Sequence, residues 1–202
     1  MGYDKDKWAR RLHNRSDMGL SLTHLTKSDG KNSHIDNLIQ IIEERCLRGS
    51  DTKKGFIVGD HPAVCFQDAP LSGISQNVYH ESLYREELGS KLRYSPNGLC
   101  FFKRYVYHRG GRPCLYEKSE VAKKLLPASD WWRIVDFRLS EDNKIVDWTH
   151  EREWRVKGNF MFEIEEVTVL LAHYEQYREF IKRVDKGTLQ KLNGIVILSE
   201  VL

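Results

Sequence analysis

Apolar residues recur along this chain with two different periods. Ile35, Leu38, Ile39 and Ile42 fall at i, i+3, i+4 and i+7, which is one face of a helix running from about His34 to Arg45. Ser33 stands at the N-cap position and Asp36 follows three residues on, as in a capping box. Tyr177, Phe180, Ile181 and Val184 repeat the spacing and predict a second helix over Tyr174–Val184. Ser119 reads as the cap of a short helix that ends before Pro127, because the residue preceding a proline is pushed out of the helical region. Residues 81–92, ESLYREELGSKL, form a charged segment with helical tendency.

Shorter runs predict strands. Leu20 and Leu22 alternate with polar neighbours in LSLTHLT, the pattern of a half-buried strand. Ala63–Phe66, Leu99–Phe102, Cys114–Tyr116, Trp131–Leu139, Glu153–Val156 and Ile195–Leu198 are further candidates. Val167–Ala172, aliphatic and partly β-branched, is the clearest buried strand. Turn residues cluster at Tyr94–Gly98 and Arg109–Pro113. Strands outnumber helices, and the middle of the chain lacks regular βαβ alternation. The expected class is therefore α+β, with a split, largely antiparallel sheet flanked by short helices. Residues 1–19 read as a basic N-terminal segment, either a short helix or loose, and 20–202 as a single domain.

Composition narrows the class. With 40% hydrophobic and 30% charged residues, a chain of 202 residues can bury a core without disulfides or metal. No apolar run approaches the ~20 residues that cross a bilayer, and Met1–Arg15 is polar. The expectation is a cytoplasmic protein with no membrane partner. Cys46, Cys65, Cys100 and Cys114 form no CxxC pair, so they are expected to be reduced thiols, and no metal site is expected. The net charge of +3 is mild and neither demands nor excludes nucleic acid.

Three segments can carry chemistry. In DWTHEREWRV, a strand would put Glu151, Glu153 and Arg155 on one face, with Trp148 and Trp154 flanking them. A carboxylate there can hold a ribose hydroxyl and stabilise positive charge on a sugar ring. An exposed edge strand of alternating charges is the plainer reading, but the flanking tryptophans point to partial burial, where a carboxylate needs partners, and this favours function. His24 ends the first strand beside Thr23, Thr26 and Lys27, a set able to hold hydroxyls and phosphates, although on this segment alone a strand-end histidine without a ligand is favoured. The Arg109-Gly-Gly-Arg-Pro113 turn has glycines whose N–H groups can converge on phosphate; more often such a turn only joins two strands. Neither GxGxxG nor a Walker loop occurs.

Taken in order, LTHLT, HIDNLIQIIEERCLRGS, VCFQDAPLS, GLCFFKRYVYHRGGRPCLY and HEREWRV resemble the bacterial AbiGi-like abortive-infection proteins and, more distantly, the DarT group of ADP-ribosyltransferase toxins. The resemblance spans about Leu20 to Val156. It implies an ADP-ribosyltransferase-like fold and NAD as substrate. Glu153 then corresponds to the catalytic glutamate, with Glu151 beside it. His24 corresponds to the NAD-contacting histidine and Asn37 to the helix asparagine. Arg48 is the nearest match to an NAD-contacting arginine, and Arg48 or Lys27 would neutralise the pyrophosphate.

The implied function is transfer of ADP-ribose from NAD to nucleic acid or protein, or NAD hydrolysis, in phage defence or a toxin–antitoxin pair with an antitoxin partner. The alternative is an inactive relative that binds nucleic acid or protein through Lys53, Lys54, Lys103, Arg104, Arg109 and Arg112. A metal-dependent nuclease is weaker still, because no HxH pair supports it and the one DxD, Asp4-Lys5-Asp6, stands in the basic N-terminal segment.

Overall fold

A computed structural model describes residues 2–26, 33–54, 56–84, 86, 97–140 and 145–201. Its strands are β1 (Ser21–Leu25), β2 (Cys46–Leu47), β3 (Ala63–Phe66), β4 (Gly98–Phe102), β5 (Arg112–Pro113), β6 (Leu115–Glu117), β7 (Ile134–Asp136), β8 (Arg138–Leu139), β9 (Ile145–Val146), β10 (Trp154–Lys157), β11 (Phe160–Met161), β12 (Thr168–Leu171) and β13 (Gly194–Ile197). Its helices are α1 (Lys5–His13), α2 (His34–Glu44), α3 (Leu71–Leu83), α4 (Lys103–His108), α5 (Ser119–Leu125), α6 (Tyr174–Arg183) and α7 (Lys186–Lys191). The class is α+β. No helix among the described residues is long and apolar enough to cross a membrane. The chain forms two compact units: Met1–Arg45 with Ala69–Phe102 and Phe162–Leu202, and Cys46–Asp68 with Lys103–Met161.

The first unit is built on a four-stranded sheet of order β1-β4-β12-β13. β4 pairs antiparallel with both β1 and β12, while β12 and β13 run parallel and are joined through α6 and α7. Leu22, Leu99, Val169 and Leu170 are completely buried. Gly98 is required where β4 meets β1, since a Cβ there would collide with the His24 carbonyl oxygen.

α2 forms as its pattern predicts. Ser33 and Asp36 close a capping box, and Ile35, Leu38, Ile39 and Ile42 are all buried. Each such side chain contributes about 1.5–3 kcal/mol of transfer free energy. α6 packs against both α2 and β12, with Phe180 buried, and Arg183 pairs with Asp36 at 2.6 Å. The N-terminal segment is helical in α1, capped by Asp4, with Leu12 buried.

α3 starts ten residues before the expected charged segment, immediately after Pro70. Of its apolar residues only Ile74 is fully buried, so the sequence shows no clean stripe. The helix reaches Leu83; Arg85 and residues 87–92 of that expected segment, and the start of the Tyr94–Gly98 turn, lie outside the described residues.

The second unit holds a three-stranded antiparallel sheet, β3-β10-β5, with smaller pairs β11-β2, β6-β7 and β8-β9. Directly opposed residues of an antiparallel pair share a face. Val64 and Val156 therefore share one face with Phe66, whose ring meets Phe160 edge-on at 5.2 Å. Cys65 and Arg155 share the other. Ile57, Ala63 and Trp132 form the small apolar cluster of this unit, with Cys65 packed against it.

Three expectations change here. Trp131–Leu139 is not continuously extended: Ala128–Arg133 is a 3-10 turn, and only then does β7 begin. Ser119 is the first residue of α5 rather than its cap. Its N–H and hydroxyl both donate to the Asp136 Oδ1, at 2.9 and 3.0 Å, so a carboxylate from β7 takes the capping role. Arg109–Pro113 does not cradle phosphate with its amides. Gly110 N–H donates to the Tyr107 carbonyl and Gly111 N–H to that of Val106, with Gly110 at φ 91°. This is a Schellman motif ending α4, and it uses the N–H groups that a phosphate would need. A Cβ on Gly111 would stand 2.6 Å from a Val106 methyl.

Candidate functional site

The EREWR segment forms the polar centre of the second unit. Glu153 and Arg155 are 6% and 3% exposed. They share a face, as alternation along a strand predicts. Arg155 Nε donates to Glu153 Oε1 at 2.8 Å and Nη2 to Oε2 at 3.1 Å, a bidentate pair. Arg155 Nη1 donates to the carbonyls of Trp132 and Ile134, both at 2.9 Å, and Nη2 reaches that of Phe56 at 3.4 Å. Every N–H of the guanidinium is thereby used.

The expected strand does not extend to Glu151. Thr149–Glu151 is a 3-10 turn, and Arg152 takes the left-handed conformation at φ 45°, which breaks the alternation. A non-glycine residue in that region holds backbone strain that its surroundings must enforce. The enforcing contacts are present. Asp68 N–H donates to the Glu151 carbonyl at 2.9 Å, and Arg152 Nε donates to the Asp68 carbonyl at 2.7 Å. On the other side Cys114 N–H donates to the Glu153 carbonyl at 2.8 Å, and Glu153 N–H donates to the Tyr116 hydroxyl. Glu151 is half-buried and ends a turn whose backbone is held on both sides.

Both carboxylates act on the same neighbours. Burial pushes the Cys114 thiol well up, and the negative charges of Glu153 and Glu151 add to the rise. Burial likewise raises the Tyr116 hydroxyl, with the same two carboxylates contributing. Cys65 rises through burial first and the Glu153 charge second. All four cysteines are free. β10 lies between the strand of Cys65 and that leading to Cys114, and two strand spacings of about 4.8 Å exceed the Cα separation a disulfide spans.

The other candidates from the sequence are divided between the two units. His24 sits in β1 opposite Leu99 of β4. Thr26 is buried, and both its N–H and its hydroxyl donate to the Asn97 carbonyl, at 2.8 and 3.1 Å. Asn37 lies in the first turn of α2, its N–H donating to the Ser33 carbonyl. These three belong to the first unit, whereas Arg48, after β2, belongs to the second with Glu151 and Glu153. Lys27 lies outside the described residues.

Sequence reasoning passed over Tyr116, Asp68 and Gln67. Gln67 follows β3, is 9% exposed, and its Oε1 has no hydrogen-bond partner among the described residues. None of the three carries a motif, because long-range pairing alone brings them to the turn. No protein family, curated protein or solved structure matches the chain.

Proposed function

We propose that this protein transfers ADP-ribose from NAD to nucleic acid, protein or water, in keeping with its resemblance to the AbiGi-like and DarT groups. The observation that carries the reading is the turn at Thr149–Arg152. It holds one partly exposed carboxylate, Glu151, beside one buried carboxylate, Glu153, with a strained residue between them. As the glycosidic bond breaks, nicotinamide leaves with the bonding electrons and positive charge spreads over C1′ and the ring oxygen of the ribose. The acceptor then bonds to C1′ and loses its proton. A carboxylate fixed in advance stabilises that charge more than it stabilises neutral ribose, and this difference accelerates the reaction.

The two glutamates have different parts in this reading. Glu151 meets the ribose. Glu153, its charge opposed by Arg155 at both oxygens, fixes the turn from which Glu151 projects. Arg48, in the same unit as Glu151, remains a proposed contact to the pyrophosphate. Thr26, its hydroxyl already donated to Asn97, retains only its acceptor capacity for a ligand.

Incubation with NAD labelled in the adenylate tests this. Wild type should release nicotinamide. Glu151→Gln should lose at least about 10²-fold in rate with unchanged folding, as when a main electrostatic stabiliser is removed. Glu153→Gln should lose activity together with thermal stability. A second reading, an inactive relative that binds without reacting, is favoured by the complete pairing of the Glu153 carboxylate. It takes over if wild type neither binds nor cleaves NAD with nucleic acid and protein acceptors present.

A further inference from the structure

Among the described residues of the second unit two cations are buried: Arg155, paired with Glu153, and Lys103, the first residue of α4. The Lys103 ammonium stands 2.7 Å from Asp68 Oδ1, and the two side chains are 10% and 15% exposed. Asp68 comes shortly after β3, and its main chain is committed to the turn at Thr149–Arg152. Its N–H donates to the Glu151 carbonyl at 2.9 Å, and its carbonyl accepts from Arg152 Nε at 2.7 Å. Arg152 is the left-handed residue, at φ 45°. Asp68 thus joins Lys103 to the strained part of the turn. Glu153, next along, is held independently. Cys114 N–H donates to its carbonyl, the Tyr116 hydroxyl accepts from its N–H, and Arg155 pairs with its carboxylate.

We infer that Lys103 is a positioning residue for Glu151, acting through Asp68. The inference rests on the reading in which Glu151 meets the ribose. A non-glycine residue stays left-handed only where its surroundings enforce it, and two of the enforcing contacts come from the single residue Asp68. Asp68 can enforce that conformation only if it is itself held. The Lys103 ammonium holds its carboxylate, in surroundings where solvent screens the attraction little. A complete buried ion pair adds little net stability over apolar groups of the same volume, whereas its hydrogen-bonded geometry is narrow. The pair therefore contributes position more than strength. Without it Asp68 shifts, Arg152 is released from the left-handed region, and the Glu151 backbone moves with them. A misplacement of about 1 Å is enough to slow a reaction on the order of 10²-fold. Burial also takes Lys103 out of the cationic set through which an inactive relative would bind.

Variants of the full chain test it, measured for nicotinamide release from NAD, melting temperature and amide exchange. Lys103→Met removes the charge and keeps most of the stem. It should lower kcat about 10- to 100-fold with KM for NAD nearly unchanged. It should also lower the melting temperature, because Asp68 is left buried and uncompensated. Adding Asp68→Asn removes that stranded charge. The double variant should recover most of the melting temperature and little of kcat, and it carries the test if Lys103→Met fails to fold. In a Glu151→Gln background, Lys103→Met should cost no further rate. Exchange should quicken at the Glu151 and Arg152 amides, which donate to the Trp148 and Thr149 carbonyls, and not along β10. Recovery of kcat together with melting temperature in the double variant would make the pair structural alone and overturn the inference. So would a Lys103→Met loss that adds to that of Glu151→Gln, or unchanged exchange in the turn. A wild type that does not cleave NAD removes the reading of Glu151, and amide exchange then decides by itself whether Lys103 holds the turn.

Discussion

The two units of this protein hold themselves together by different means. The first has an apolar sheet: Leu22, Leu99, Val169 and Leu170 are fully buried along β1, β4 and β12, and α2 adds four buried aliphatic side chains. The second has a shorter sheet with one polar face, where Arg155 ties β10 to the backbone at Phe56, Trp132 and Ile134 and neutralises Glu153. Burial of apolar area is additive and forgiving, because a smaller side chain loses only its own contacts and a cavity term. A buried ion pair is conditional. Its net contribution is small while it is complete, and the loss is large when one member goes, because the other is left buried and uncompensated.

The largest effect should therefore come from Arg155→Met. It takes the guanidinium away from a buried carboxylate and from three carbonyls, and should destabilise the second unit by about 3–5 kcal/mol. Denaturant unfolding gives the magnitude, and amide exchange should show the loss confined to Cys46–Asp68 and Lys103–Met161. Combining it with Glu153→Met should recover part of the loss, since no buried charge remains. Additive destabilisation in the double variant would show that the ion pair is not the organising contact.

Leu170→Ala is the counterpart in the first unit. Its side chain is completely buried in the cluster with Cys100, Ile74 and Leu198, and truncation should cost about 2–5 kcal/mol. Restoring aliphatic volume as Leu170→Met should recover most of that, a tolerance not expected at Arg155.

A smaller effect sharpens the comparison at the thiols. Cys65 and Cys114 are raised by burial and by the Glu153 charge, so in the native protein both should react with a thiol-alkylating reagent far more slowly than an exposed cysteine near pH 8. Glu153→Gln removes the charge and loosens the packing, and should speed alkylation at both. Cys100, in the first unit and raised chiefly by burial, should not change.

This contrast also separates what was legible in the sequence from what was not. Much of the first unit follows from periodicity: α2 with its capping box, β12, α6 and β13 stand where the apolar spacing puts them, whereas α3, with one fully buried apolar side chain, does not. Periodicity reports which side chains avoid water, and that is how this unit is stabilised. In the second unit the carboxylates of EREWR were visible, but their partners were not. Carbonyls at Phe56, Trp132 and Ile134 belong to no motif, and a left-handed Arg152 has no sequence mark when the residue is not glycine or asparagine. The RGGRP segment is legible as a turn but not as the end of a helix, since paired glycines suit a phosphate nest, a strand connection and a helix C-terminus alike. The preceding α4, only six residues long, gave no periodic signal.

The smallest expected effect lies on the surface of the first unit and depends on pH. Asp36 accepts from the Ser33 N–H at 2.9 Å and hydroxyl at 2.7 Å in the capping box, and from Arg183 at 2.6 Å. The Ser33 hydroxyl, the Arg183 guanidinium and the Ser33 N–H hold its carboxyl at about 2. An unfolded aspartate titrates near ~3.9, so the folded protein binds this proton more weakly than the unfolded chain does. The contribution to stability is therefore fully present above about pH 4 and fades as the pH falls through about 2. The pair is largely exposed, so the effect should be modest and should shrink further with added salt. Asp36→Asn keeps an N-capping oxygen within reach of Ser33 but abolishes the charge. Its melting temperature should fall below that of wild type near neutral pH, and the two should converge as the pH approaches 2. Arg183→Met should reproduce part of the loss with the capping box intact. A difference between Asp36→Asn and wild type that stays constant from neutral pH down to about pH 2 would show that the carboxylate acts through packing rather than through its charge.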